Sequence, residues 1–386
     1  MRVVTNIFHL RTFLLHLRST FWYLGMTAST LAIIGASEGS GALDSSKSIE
    51  VDRQVLLNDM AGKPTAIVRR PDGGLVVAGV RGAAWAVATN AHGEILWKFE
   101  YPPDESAKTA FQSKINGAVS LANGRVLFCG QRTTQGSVGL VTILDSNGRV
   151  VEERTELSNS DATMTLSGVT HCVHWEDGVG LIGWSSNGNH GSPWITRLDT
   201  NGAKLWSTRI PDLPTGDVVE TADHCLVLTT FNSSTFEVEL VKVNGKGEVM
   251  ARRTIKARDF IQLHTVEPNN AVTVLTYGDG TALTMHKLND RLEDAAKALE
   301  IGSFDAMQGR GYILPDGSMV LFGRTDTAAI AWISTSGRLL ALKEIDRKYK
   351  SFVIADAVPL ARDEFVTVQE SVMQNHGLVI SWVKFK

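Results

Sequence analysis

Short apolar runs recur along this chain between turns rich in Gly, Asn and Asp. Seven of them are alike: Leu75-Val-Val-Ala-Gly79, Val126-Leu-Phe-Cys-Gly130, Val179-Gly-Leu-Ile-Gly183, Leu226-Val-Leu-Thr-Thr230, Val272-Thr-Val-Leu-Thr276, Val320-Leu-Phe-Gly323 and Phe365-Val-Thr-Val368. A turn dipeptide precedes most of them: Asp72-Gly73, Asn123-Gly124, Asp177-Gly178, Asn269-Asn270 and Asp316-Gly317. Asn-Gly or Asp-Gly between two apolar runs is a strong hairpin signal, because both central turn positions need φ > 0. The run ahead of each dipeptide is also strand-like, as in Ala66-Ile-Val68, Gly117-Ala-Val-Ser-Leu121 and Tyr312-Ile-Leu314.

A third run follows each of the seven and, in all but the last, a second turn and a fourth run. The second turns are Asn90-Ala-His-Gly93, Asp145-Ser-Asn-Gly148, Asp199-Thr-Asn-Gly202, Asn244-Gly-Lys-Gly247 and Ser334-Thr-Ser-Gly337. Gly in the last place suits a type I turn ending in a left-handed residue. Two units share a fuller frame. Trp85 leads into Gly93 and Trp97, and Trp194 leads into Gly202 and Trp206; weaker copies recur about every 45 to 55 residues. Four antiparallel strands per unit and seven units predict an all-β, seven-bladed β-propeller. The tryptophans are read as packing, large rings at fixed offsets filling the wedge between blades.

The fourth and fifth units are degenerate and the seventh is incomplete. In the fifth, Asn289-Asp-Arg-Leu-Glu-Asp-Ala-Ala-Lys-Ala replaces the tight turn and predicts a helical turn. The seventh stops after a third strand, Leu378-Val-Ile-Ser-Trp-Val383, while Ile49-Glu-Val-Asp-Arg-Gln-Val-Leu-Leu57 stands unused ahead of the first unit. An N-terminal strand that pairs with the last blade would close the ring and remove an open sheet edge.

The first residues do not belong to the repeat. Arg2, Arg11 and Arg18 precede an uncharged run from Ser19 to Ser37, and small residues follow its apolar part. That order of basic, apolar and small residues reads as a secretory signal over residues 1–37. The run is almost long enough to span a bilayer, so residues 19–37 as an uncleaved inner-membrane anchor, or a start at Met26, are the alternatives. Residues 38–47 read as a flexible linker and 48–386 as the propeller. The expected location is the periplasm or the exterior, with membrane contact only through an uncleaved N-terminal segment.

Composition adds exclusions. A net charge of −3 with no basic stripe gives no case for nucleic acid. The three cysteines, Cys129, Cys172 and Cys225, cannot all pair within one chain, and each lies in an apolar run, which predicts buried thiols. No CxxC spacing supports a metal site, and Asp145-Ser-Asn-Gly148 and Asp199-Thr-Asn-Gly202 lack the later glutamate of an EF-hand. No GxSxG, HExxH, P-loop or GxGxxG lies in a strand–helix context, so no metal and no cofactor is expected.

The long connections, including 102–115, 131–139, 158–168, 185–193 and 370–377, fall on one face of the predicted ring. A rigid scaffold that holds long loops puts binding there. Arg81, Arg132 and Arg324 follow the second strands of units one, two and six, neighbours around unit seven, and are candidates to grip a carboxylate, phosphate or acidic surface. The alternative is solvated loop arginine. His190 and His376 lie in equivalent loops, and His171, with His174 nearby, lies in an innermost strand where an imidazole can face the channel. A histidine there serves catalysis or ligand binding, or else bonds to a neighbouring blade, and Asp356 and His264 carry the same ambiguity.

The block Leu198-Asp-Thr-Asn-Gly-Ala-Lys-Leu-Trp206 resembles the repeat of pyrroloquinoline-quinone-type propellers, which show Leu-Asp, Gly and Trp at these offsets. The resemblance extends over about residues 60–386 and implies a propeller of the kind shared by quinone dehydrogenases, the lipoprotein of outer-membrane barrel assembly, and secreted bacterial propellers without an assigned activity. Quinone enzymes usually carry eight blades, and the lipoprotein needs an acylated Cys that this chain lacks after its apolar run. The expectation is a monomeric, exported binding platform for a protein or small anionic ligand. The alternative is a secreted hydrolase or lyase acting on a sugar or lactone at the channel mouth.

Overall fold

Four strands joined by short turns make one sheet, and the arrangement recurs seven times. The computed structural model describes residues 46–101, 113–133, 137–155, 166–186, 191–210, 216–232, 234–266, 271–277, 283–302, 311–314, 316–324, 327–345, 354–371 and 377–386. The expected signal or anchor segment lies outside them. In chain order, β1 (Ile49–Ala61) precedes the first sheet, β2 (Lys63–Arg69), β3 (Leu75–Arg81), β4 (Ala83–Thr89) and β5 (Ile95–Glu100). The second sheet is β6 (Ser113–Ser120), β7 (Val126–Thr133), β8 (Ser137–Leu144) and β9 (Val150–Arg154). The third is β10 (Leu166–Trp175), β11 (Gly178–Ser186), β12 (Gly191–Leu198) and β13 (Lys204–Arg209). The fourth is β14 (Val218–Glu220), β15 (Leu226–Asn232), β16 (Glu237–Val243) and β17 (Val249–Lys256). The fifth is β18 (Asp259–Val266), β19 (Ala271–Tyr277), β20 (Leu283–Leu288) and β21 (Leu299–Gly302). The sixth is β22 (Gly311–Ile313), β23 (Met319–Arg324), β24 (Ala328–Ile333) and β25 (Leu339–Glu344). The last combines β26 (Ile354–Ala361), β27 (Glu364–Glu370) and β28 (Gly377–Phe385) with β1, which pairs antiparallel to β28 from Ile49 opposite Phe385 to Leu57 opposite Leu378.

Burial explains the strand sequences. The second and third strands are covered on both faces, so β3 and β4 are almost wholly buried runs of Val, Ala and Trp. The outer strands alternate: β5 and β17 expose every second residue or more. Seven apolar cores result, one between each pair of neighbouring sheets. Val77 and Val87 of the first sheet pack with Val366, Val368 and Ile380 of the last, while Val76, Ala86 and Ala88 from the opposite face of the first sheet pack with Phe128 and Leu140 of the second. The protein is an all-β, seven-bladed propeller of four-stranded antiparallel sheets.

The turn between third and fourth strands is built the same way around the ring. In residues 244–248, Asn244 Oδ1 accepts the backbone N–H of Lys246 and of Glu248, both at 3.0 Å, and the Asn244 N–H donates to the Glu248 carbonyl at 3.0 Å. Asn90, Asp145 and Asp199 make the same pair of side-chain bonds in their turns, and Ser334 makes one of them. An Asx side chain that caps its own turn in this way mimics a backbone turn. The fourth residue of the turn at 244–248 is Gly247, at φ 83°. It lies against Trp206 of the preceding blade, whose ring would stand 3.1 Å from a Cβ placed there.

The fifth blade corrects the sequence reading. Residues 289–293 form no helical turn. Asn289 Oδ1 accepts the N–H groups of Arg291 and Glu293, both at 2.9 Å, and the Asn289 N–H donates to the Glu293 carbonyl at 2.8 Å. Leu292 takes the place of glycine at φ 62° and is 1% exposed. In the preceding blade Ala251 stands opposite Lys242, the register position at which Trp206 stands opposite Arg197. Leu292 thus occupies the wedge that a tryptophan fills elsewhere.

Candidate functional site

The first strand of each blade faces the centre of the ring. Side chains of β2, β6, β10, β14 and β26 enclose a cavity of about 60 Å³ whose polar lining is Asn116, His171, Asp217 and Asp356. Its apolar lining includes Ile67, Cys172 and Val218. Such a volume suits a few waters and not a substrate, since ligand pockets run to about 300–1,000 Å³.

Two of these polar groups also tie blades together. Asp356 is 1% exposed; its Oδ2 accepts the Ile67 N–H of the first blade at 2.9 Å and its Oδ1 accepts the Ala357 N–H at 2.8 Å. Asn116 Nδ2 donates to the Val169 carbonyl of the next blade at 2.7 Å. Asp217 Oδ1 accepts the N–H of Val218 at 2.9 Å. His171 is half-buried and lines the cavity, whereas His174 on the same strand is exposed and outside the lining. Asn116 and Asp217 were not singled out by the sequence; only their place in innermost strands, read with the blade count, marks them.

The three arginines fall at the ends of second strands. Arg81 closes β3 and is exposed; Arg324 closes β23, and its side chain lies outside the described residues. Arg132, one residue from the end of β7, is engaged by its own blade and by the end of the preceding one. Its Nη1 meets Glu153 Oε1 at 2.9 Å, and its guanidinium lies 5.4 Å from the centre of the Tyr101 ring. Burial raises the pKa of the Tyr101 hydroxyl, which hydrogen-bonds to Thr142. So Arg132 is held by a carboxylate and an aromatic face, while Arg81 faces solvent. His190 and His376 lie outside the described residues, as does the side chain of His264.

The two faces of the ring differ in their connections. Within blades, the turns 70–74, 90–94, 145–149, 199–203, 244–248 and 334–338 are five residues each and backbone-bonded end to end. The opposite ends of these strands include the ends of the second strands, and the connections from β5 to β6, β9 to β10 and β25 to β26 run through residues outside the described ones.

No family model and no curated protein sequence matches this chain. Among solved structures, the Dos1 propeller is similar with a TM-score of 0.51 and 11% identity, covering 87% of this chain and 95% of that one. A protein of unknown function from Bacteroides caccae (TM-score 0.46, 13% identity, 73% of this chain and 97% of that one) and one from Dyadobacter fermentans DSM 18053 (0.48, 11%, 88% and 99%) are also similar. At these identities the likeness to the Dos1 propeller supports the fold alone.

Proposed function

We propose that this chain is an exported propeller whose face of long connections binds a protein or a small anionic ligand. In this reading residues 1–37 direct export or anchor the chain, the repeats are of the pyrroloquinoline-quinone type without the cofactor, and β1 closes the ring by completing the last blade. The observation that carries the proposal is the contrast between faces. One is finished in five-residue turns bonded end to end; the other carries the ends of the second strands, with Arg81 exposed at one of them. Segments of varied length on a rigid frame are where binding is placed in such architectures. No feature of the described channel favours the hydrolase or lyase reading: its cavity is about 60 Å³, and Asp356 there accepts two backbone N–H groups.

The test is affinity capture from the native envelope fraction with the full-length chain, beside a variant carrying Arg81→Ala and Arg324→Ala. Arg132→Ala is assayed separately with a thermal melt, because it also breaks the pair with Glu153. Support would be a partner that is captured reciprocally by the wild type and falls at least about tenfold in the double variant, as loss of charge-assisted contacts predicts. Identical eluates from wild type and variant would overturn the arginine assignment, and an eluate with no reciprocal partner would overturn the platform.

A further inference from the structure

We propose that Cys129 and Cys172 are a disulfide-forming pair that joins the second blade to the third. Cys129 lies on β7 opposite Gly117 of β6, and Cys172 lies on β10, the innermost strand of the next blade. The two side chains, 1% and 8% exposed, share the apolar core between these blades. A Cβ placed on Gly117 would stand 3.1 Å from Cys172 Sγ and 3.2 Å from Cys129 Sγ. Gly117 has no such atom. The two sulfurs therefore converge on the space of the missing side chain and stand no further apart than those two distances together. A disulfide between them needs the sulfurs drawn to about 2.05 Å, and the open space at Gly117 leaves room for the side-chain rotations that this takes. Any larger residue at 117 would hold the sulfurs apart.

The same burial sets when the bond forms. Burial and the adjoining Cys172 thiol both raise the pKa of Cys129, so the folded thiol is a poor nucleophile. Exchange belongs to the open chain, before the core between these blades is sealed. There, one cysteine thiolate attacks a disulfide of the oxidant, releases one oxidant thiolate and forms a mixed disulfide. The second cysteine, losing its proton, attacks the protein sulfur of that mixed disulfide and releases the other oxidant thiolate. Two electrons pass to the oxidant, which leaves as two thiols. Cys225 sits in the fourth blade, with its Sγ 3.9 Å from the Asp223 carbonyl, and serves as an internal control.

The experiment uses the full-length chain in two arms. In one, denatured reduced protein refolds in oxidised and reduced glutathione; in the other, folded reduced protein meets the same buffer. Thiols are then alkylated and peptides mapped without reduction. The first arm should yield a Cys129–Cys172 linked peptide with Cys225 alkylated, and the second should form it far more slowly. The oxidised protein should melt about 5 °C above the reduced form, a difference absent from a variant carrying Cys129→Ser and Cys172→Ser. Three alkylated cysteines after oxidative refolding, or a linkage through Cys225, would overturn the proposal, and neither result depends on a variant folding.

Discussion

The turns at 244–248 and 289–293 have the same backbone and different fillings. In the first, glycine at the left-handed position leaves room for Trp206 of the preceding blade; in the second, Leu292 adopts the left-handed position and the preceding blade offers Ala251. Both keep the asparagine that caps the turn through its side chain. The comparison teaches that the asparagine holds the turn, while glycine serves the neighbour. Volume is exchanged across the blade boundary, and a leucine at positive φ, which costs of order 1 kcal/mol, is tolerated because its side chain is buried.

This exchange can be broken deliberately. Leu292→Gly should cost about 2–3 kcal/mol in urea unfolding, the loss of a buried leucine reduced by relief of the backbone. Combining it with Ala251→Trp should restore about half or more of that loss; an additive pair of effects would show that the two positions do not share a wedge. Next in size, Asn289→Ala should cost about 1–2 kcal/mol and more than Asn244→Ala, because only the turn at 244–248 retains a glycine that favours the left-handed position. Equal losses would return the credit to the residue at the fourth place.

The smallest effect concerns pH. Asp145 does the work of Asn244 with a carboxylate, and the N–H of Arg149, then that of Asn147, lower its pKa despite an opposing contribution from burial. A depressed carboxyl stabilises the fold above its ordinary pKa, and that contribution is lost as pH falls through the lowered value. Asp145→Asn should therefore remove a small acid-side loss of stability, seen as a flatter melting curve against pH below the usual carboxylate range. Asn244→Asp should introduce one.

Much of the fold was legible because turn dipeptides and paired apolar runs are local signals. The fifth blade departs from its sequence pattern for the same reason: residues 289–298 carry no glycine, and the Asn289 cap and the space beside Ala251, far away in sequence, appear only in the structure. The candidate site was less legible. Arg132 reads as a loop arginine, yet Glu153 and Tyr101 hold it from other strands of the blade and its flank. Asp356 was ambiguous until its carboxylate met the N–H of Ile67, a residue near the opposite end of the chain. Cys129 and Cys172 were read singly as buried thiols, because nothing along the sequence reveals that Gly117 leaves one space for both.

The pairing of β1 with β28 has a consequence for synthesis. β1 is translated before every other strand, and the strand it bonds to, with Phe385 opposite Ile49, is translated after every other. While the six intervening sheets emerge from the ribosome, β1 has contacts with the first blade but no strand to pair with. Its exposed edge is available to a chaperone, a protease or another nascent chain. A product that stops short of β28 therefore leaves the edge of its own first strand unpaired, so the same bond that completes the last sheet also shields the beginning of the propeller.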